Sequence, residues 1–128
     1  MAAAKTILVA DDEDFLRLLV KETLSRYRVI EARDGDEALE LVLESAPDLL
    51  ILDWMMPGRH GPAVLEALRN DPSTRDLPVL MMTAKSGAAE RAQLLAAGAT
   101  ACMSKPFGTA ALRANVEEIL AKASPPKS

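Results

Sequence analysis

The sequence predicts an α/β domain: a five-stranded parallel sheet, doubly wound, with helices on both faces. Three observations carry that prediction. Five short apolar runs alternate with five stretches of helical period; three of the runs, ILVA, LLIL and VLMM, have no polar alternation; and polar residues close four of the runs. Strands covered on both faces read as continuous apolar runs, whereas half-exposed strands alternate. Repeated strand–helix units imply right-handed crossovers and a parallel sheet between two helical layers.

Each element has its own signal. The first run, Thr6–Ala10, ends at Asp11 and Asp12, and a helix starts near Asp14 with Leu16, Leu19, Val20 and Leu24 at helical spacing. After the second run, Arg28–Ala32, Asp34 stands where a helix cap is wanted, and Pro47 stops that helix. The third run, residues 48–53, closes on Asp53; the helix after it opens near Gly61, with Pro62 tolerated in its first turn. The fourth run, residues 78–83, closes on Thr83 and leads to a helix near Ser86, which Gly98 ends in a left-handed cap. The fifth, Ala101–Ser104, is followed by Lys105 and a helix from Thr109 with Leu112, Val116 and Ile119 facing inward.

The totals narrow the function. A length of 128 residues suits one domain with one core, and with aromatics at only 3% that core must be aliphatic, alanine and methionine. Nineteen acidic against fifteen basic residues give a net charge of −4, which argues against direct nucleic-acid binding by this domain. Cys102 is the single cysteine, so no intrachain disulfide can form. The apolar run near the N-terminus is too short for a signal peptide or a membrane span, so no membrane insertion is expected and a cytoplasmic location is the default. Residues 1–123 are expected to form the domain, and 124–128, Ser-Pro-Pro-Lys-Ser, a linker-like or disordered tail.

In doubly wound sheets, functional groups gather at the carboxyl ends of the strands. Asp11, Asp12, Asp53, Thr83 and Lys105 all fall there. Two carboxylates about 4 Å apart repel by roughly 4 kcal/mol at an effective dielectric of about 20. The acidic cluster is therefore tolerable if a cation occupies it, if protons neutralise part of it, or if Lys105 compensates. Oxygen donors without His or Cys select Mg²⁺, with Mn²⁺ next, over zinc. Thr83 offers a hydroxyl and Lys105 an ammonium suited to phosphate oxygens, and a carboxylate can attack phosphorus to form an aspartyl phosphate. Singly, Asp11-Asp12 could be helix N-terminal acids, Lys105 a solvated charge and Thr83 an ordinary strand residue; their co-location carries the reading.

The ordered set Ile7-Leu8-Val9-Ala10-Asp11-Asp12, Pro47-Asp48-Leu49-Leu50-Ile51-Leu52-Asp53, Met56-Pro57-Gly58, Gly61, Pro78-Val79-Leu80-Met81-Met82-Thr83-Ala84 and Lys105-Pro106-Phe107 resembles bacterial response-regulator receiver domains of the CheY-like type. The resemblance runs from about residue 5 to 121 and implies a flavodoxin-like (βα)5 sandwich with strand order 2-1-3-4-5. It implies that Asp53 is the phosphoacceptor, that Asp12 binds Mg²⁺ directly and Asp11 through water, and that the backbone carbonyl of Met55 is a further ligand. Thr83 and Lys105 would bond the phosphoryl oxygens, and the peptide bond before Pro106 would be cis. The donors would be histidine kinases or phosphotransfer proteins. The downstream partner, of unknown identity, would bind the face made by the fourth helix, fifth strand and fifth helix.

In that family the positions of Met55 and Lys85 tune the lifetime of the aspartyl phosphate, and Met55 hints at slow hydrolysis. Trp54 is expected at the rim of the site and His60 in solvent. Cys102 departs from the pattern: receivers usually carry Tyr, Phe or His there as a conformational reporter, and here a small buried thiol is expected. Ala111 and Asn115 stand where dimerising receivers place matched charges, which weakens a dimer reading.

Other functions fit less well. A phosphohydrolase of the haloacid-dehalogenase type needs an Asp where Met55 stands, so the chain is read as no enzyme beyond its own phosphorylation and dephosphorylation. A flavin binder would have its phosphate repelled by Asp11-Asp12-Glu13-Asp14. A pseudo-receiver, an interaction module that is never phosphorylated, is the remaining alternative.

Overall fold

A computed structural model of the chain describes residues 4–84 and 87–123. Its strands are β1 (Thr6–Ala10), β2 (Arg28–Ala32), β3 (Leu49–Asp53), β4 (Val79–Thr83) and β5 (Ala101–Ser104). They alternate with helices α1 (Asp14–Thr23), α2 (Gly35–Ser45), α3 (Gly61–Asn70), α4 (Ala88–Ala96) and α5 (Thr109–Ala123). All neighbouring strands are parallel, in the order β2-β1-β3-β4-β5. That is the flavodoxin-like order the resemblance implies.

The apolar runs do not alternate because both faces of the sheet are covered. Leu8, Leu50, Leu52, Met81 and Cys102 pack with Ala38, Val42, Val64, Leu65, Leu68 and Leu94 of α2, α3 and α4. Ile7, Val9, Leu49, Ile51, Leu80, Met82 and Met103 pack on the other face with Val20 of α1, Leu24 just after it, and Leu112, Val116 and Ile119 of α5. Every residue of β3 and β4 is buried. Full burial of one Leu or Ile side chain contributes roughly 1.5–3 kcal/mol against conformational entropy.

Local chemistry sets the boundaries. Asp34 caps α2 by accepting from the Glu37 N–H at 2.8 Å, and the Glu37 carboxylate reaches back to the Arg33 N–H at 2.7 Å. The first bond satisfies an amide that a helix start leaves open; the second ties the residue before the cap to the first turn. Before Pro47, the left-handed residue that ends α2 is Ala46, with φ 44°. Strands β3 and β4 begin one residue later than the sequence predicts. Asp48 instead turns its carboxylate to the Thr6 N–H at 2.8 Å, and Pro78 has no N–H to donate. The predicted start of α4 at Ser86 lies outside the described residues; Gly87 is its N-cap.

At the amino end of the sheet, Arg69 of α3 ties three segments together. Its guanidinium donates to the carbonyls of Gly98 at 2.9 Å, Arg75 at 3.0 Å and Thr74 at 3.4 Å. Gly98, with φ +112°, ends α4 there as predicted, and a side chain at this position would press on Arg69.

Candidate functional site

The register of the central strands assembles the site. Ala10 pairs with Leu52, so Asp11 and Asp53 leave the sheet side by side. Thr83 pairs with Ser104, and the next amide, that of Lys105, donates to the Thr83 carbonyl at 2.9 Å. Lys105 then reaches over the carboxyl edge of the sheet. Its ammonium donates to Asp11 Oδ2 at 2.9 Å and Asp53 Oδ1 at 3.0 Å, with Glu13 Oε1 at 3.7 Å. The peptide bond between Lys105 and Pro106 is cis, as the resemblance implies.

Asp11 and Asp53 are buried, at 1% and 5% exposure, and Asp12 is exposed. One carboxylate oxygen from each of the three lies within 4.8 Å of the others. The other oxygen of Asp11, Oδ1, accepts from the Glu13 N–H at 2.8 Å, which holds the turn into α1. The cluster is all oxygen, without His or Cys, so the residues present fit a hard divalent cation of the Mg²⁺ or Mn²⁺ kind. Three carboxylates against one ammonium leave an excess of negative charge that such a cation would neutralise.

Burial pushes the Asp53 carboxyl up to about 6, with the charges of Asp11 and Asp12 adding to the rise; the hydrogen bond and charge of Lys105 offset only part of it. Burial also opposes the charge on Lys105, but its hydrogen bonds to Asp11 and Asp53 prevail and hold it above its ordinary value. Two of the three devices anticipated for the acidic cluster thus operate here: Lys105 compensates, and Asp53 takes up a proton more readily.

The loop after Asp53 returns tightly to the strand it left. The Gly61 N–H donates to the Trp54 carbonyl at 2.9 Å. A Cβ at Gly61 would lie 2.5 Å from the Asp53 carbonyl oxygen, so only glycine permits this approach. Trp54 is half-buried against the core and the Met55 side chain is 70% exposed. His60 is exposed and caps α3 without a side-chain hydrogen bond. Thr83 is buried at the end of β4. Cys102 is buried in the core, and burial raises its thiol pKa, as expected of a structural cysteine. Lys85 lies outside the described residues.

Sequence reading overlooked Arg17, which is buried and donates to the Asp11 carbonyl at 2.6 Å and to Glu31 Oε1 at 3.0 Å, and pairs with Asp14. The one local signal was its spacing from Asp14 on the helix that carries Leu16, Leu19 and Val20.

A family model described as the response regulator receiver domain matches residues 7–117. The chain belongs to that family. Among curated relatives, the phosphate regulon transcriptional regulatory protein PhoB of Rhizobium meliloti is 41% identical to this receiver over 121 residues, covering 93% of the chain and 53% of PhoB. Response regulator PleD of Caulobacter vibrioides is 39% identical over 118 residues, 91% of the chain and 26% of PleD. The receiver therefore spans about half, or less, of these relatives. Among solved structures, chemotaxis protein CheY4 of Vibrio cholerae superposes with a TM-score of 0.85 at 30% identity, over 91% of this chain and 99% of that one. The BeF3-activated N-terminal receiver domain of Klebsiella pneumoniae RstA gives 0.83 at 25%, over the same shares. Among the described residues no helix is long and apolar enough to cross a membrane.

Proposed function

We propose that this receiver is a phosphorylation-dependent switch that takes a phosphoryl group from a phosphohistidine donor onto Asp53. The observation that supports it best is the cluster itself: Asp53 beside two further carboxylates and within 3.0 Å of Lys105, at the carboxyl edge of the sheet. One carboxylate oxygen of ionised Asp53 attacks phosphorus, the P–N bond to the donor imidazole breaks, and its electron pair stays on the imidazole nitrogen. Charge spreads over the phosphoryl oxygens on the way, and positioning plus electrostatics supply most of the rate. Lys105 would move from the carboxylates toward one phosphoryl oxygen, and the Thr83 hydroxyl would bond another.

Asp12, Asp53 and the Met55 carbonyl would hold Mg²⁺, or Mn²⁺, with Asp11 acting through water; when bound, the cation supplies charge neutralisation between carboxylates and phosphoryl group. The donor would be a histidine kinase or phosphotransfer protein, and a downstream protein would read the α4-β5-α5 face. Residues 1–123 would be the phosphoacceptor unit, acting in the cytoplasm and catalysing no reaction but its own phosphorylation and dephosphorylation.

The test is mass measurement after incubation with acetyl phosphate and Mg²⁺. One hydrolysable phosphoryl group on the wild type and none on Asp53→Asn is the expected result. Equal labelling of the variant would move the acceptor elsewhere. No labelling of folded wild type, with Mg²⁺ bound, would favour the pseudo-receiver.

A further inference from the structure

Arg17 is the one Lys or Arg side chain buried among the described residues, at 5% exposure. It is gripped from two sides, by Glu31 of β2 at 3.0 Å and by Asp14 one turn earlier. Its third bond, from Nη1 to the Asp11 carbonyl at 2.6 Å, goes to the peptide unit that joins Asp11 to Asp12. That unit is planar, so fixing the direction of its C=O also fixes the Asp12 N–H and couples the torsions on either side of it. The Asp11 side chain has further restraints, from the Glu13 N–H and from Lys105. Asp12 is exposed, so its place in the cluster follows from the main chain that carries it. A guanidinium suits this task because its planar fork holds several acceptors at set angles.

We propose that Arg17 is a positioning residue for divalent-cation binding, fixing the angle between the Asp11 and Asp12 carboxylates through the peptide that links them. The proposal rests on the reading of the acidic cluster as a Mg²⁺ site. Position and charge make opposite predictions here. As a charge, Arg17 repels a divalent cation, and its removal alone would tighten binding. As a clamp, its removal loosens the two carboxylates and weakens binding. Losing a group that orients metal ligands typically costs about 10–100-fold in affinity.

The experiment is Mg²⁺ titration calorimetry on wild type, Arg17→Met and Arg17→Lys, below the unfolding transition of each as followed by circular dichroism. Arg17→Met is expected to bind at least ~10-fold more weakly. Arg17→Lys keeps the charge without the fork and is expected to weaken binding as well. At saturating Mg²⁺, phosphorylation of both by acetyl phosphate is expected to recover toward the wild-type rate, because Arg17 touches neither the reacting carboxylate nor the phosphoryl group. Unchanged or tighter Mg²⁺ binding by folded Arg17→Met overturns the proposal; if that variant does not fold, the same result with Arg17→Lys does so. A wild-type chain that bound no Mg²⁺ would overturn the reading of the acidic cluster itself, and the proposal with it.

Discussion

Lys105 donates from Nζ to Oδ1 of Asp53 at 3.0 Å, joining the end of β3 to the segment after β5. Such a bond favours the ionised carboxylate, yet burial and the neighbouring acids prevail and lift the Asp53 carboxyl to about 6. The pair is therefore poised: ionised at neutral pH, and held there against a desolvation cost that a phosphoryl group and cation would relieve.

That cost has a pH signature. A carboxyl whose folded pKa lies above its unfolded value is penalised when ionised, so its destabilising effect is absent below about 4 and complete above about 6. In metal-free buffer, Asp53→Asn is expected to stabilise the fold at pH 7.5 by roughly 1–2 kcal/mol, a figure reduced for solvent screening of the site. The gain should shrink toward zero near pH 4. Urea unfolding at several pH values measures it, and a gain equal at both ends would show that Asp53 titrates as an ordinary carboxyl.

Trp54, the only tryptophan, follows Asp53 and is half-buried. Its emission is expected to change when Mg²⁺ binds and again when beryllofluoride is added, because charge a few ångströms away alters the indole environment. Flat titrations with both reagents on folded protein would place the site elsewhere.

Gly61 and Gly108 form an internal comparison. A Cβ at Gly61 meets the Asp53 carbonyl at 2.5 Å, while one at Gly108 meets nothing within 4 Å. Gly61→Ala is expected to lower stability by roughly 1–3 kcal/mol and to slow phosphorylation by shifting the strand that carries Asp53. Gly108→Ala should do neither. Thermal melts and acetyl phosphate kinetics on both variants check this, and equal behaviour would remove the steric argument.

Cys102 is buried on β5 opposite Met81. A thiol cannot fill a ring-sized space, so activation is expected to move Thr83 and the residues after it without an aromatic swing. Less packing is then exchanged between the two states, which leaves them less discrete. Amide chemical shifts with and without beryllofluoride should change strongly near Asp53 and Thr83 and weakly around Cys102. Large shifts at Cys102 and across 109–120, abolished by Cys102→Ala, would make the thiol itself the transmitter.

Much of this was legible in the sequence because strand burial and strand-end position depend on local pattern. The runs ending at Ala10, Asp53, Thr83 and Ser104 carried both sheet and site. Other features were not legible, for physical reasons. Ala46 adopts a left-handed conformation with no glycine to announce it. Asp48 accepts at its carboxylate from an amide 42 residues away, that of Thr6. The burial of Arg17 is paired with Glu31, on a strand that only the fold brings near. The double engagement of Lys105 likewise depends on register between β1, β3 and β5, which no local pattern encodes.

The clamp made by Arg69 has a mechanical consequence. It fastens Gly98, at the far end of α4, to α3 and to the segment before β4, while along α4 itself only Leu94 is buried. A helix held at one end and lightly packed along its length behaves as a lever with its fulcrum at the fastened end. With a rise of 1.5 Å per residue, α4 is about 13 Å long, so a tilt of about 10° about Gly98 carries its amino end roughly 2 Å. We expect the amino end of α4 to show the largest beryllofluoride-induced displacement. Cutting the fastening with Arg69→Met should turn the pivot into a slide, seen in amide exchange as loss of protection at Gly98 and Ala99; unchanged protection there would mean that the helix has no fulcrum at Arg69.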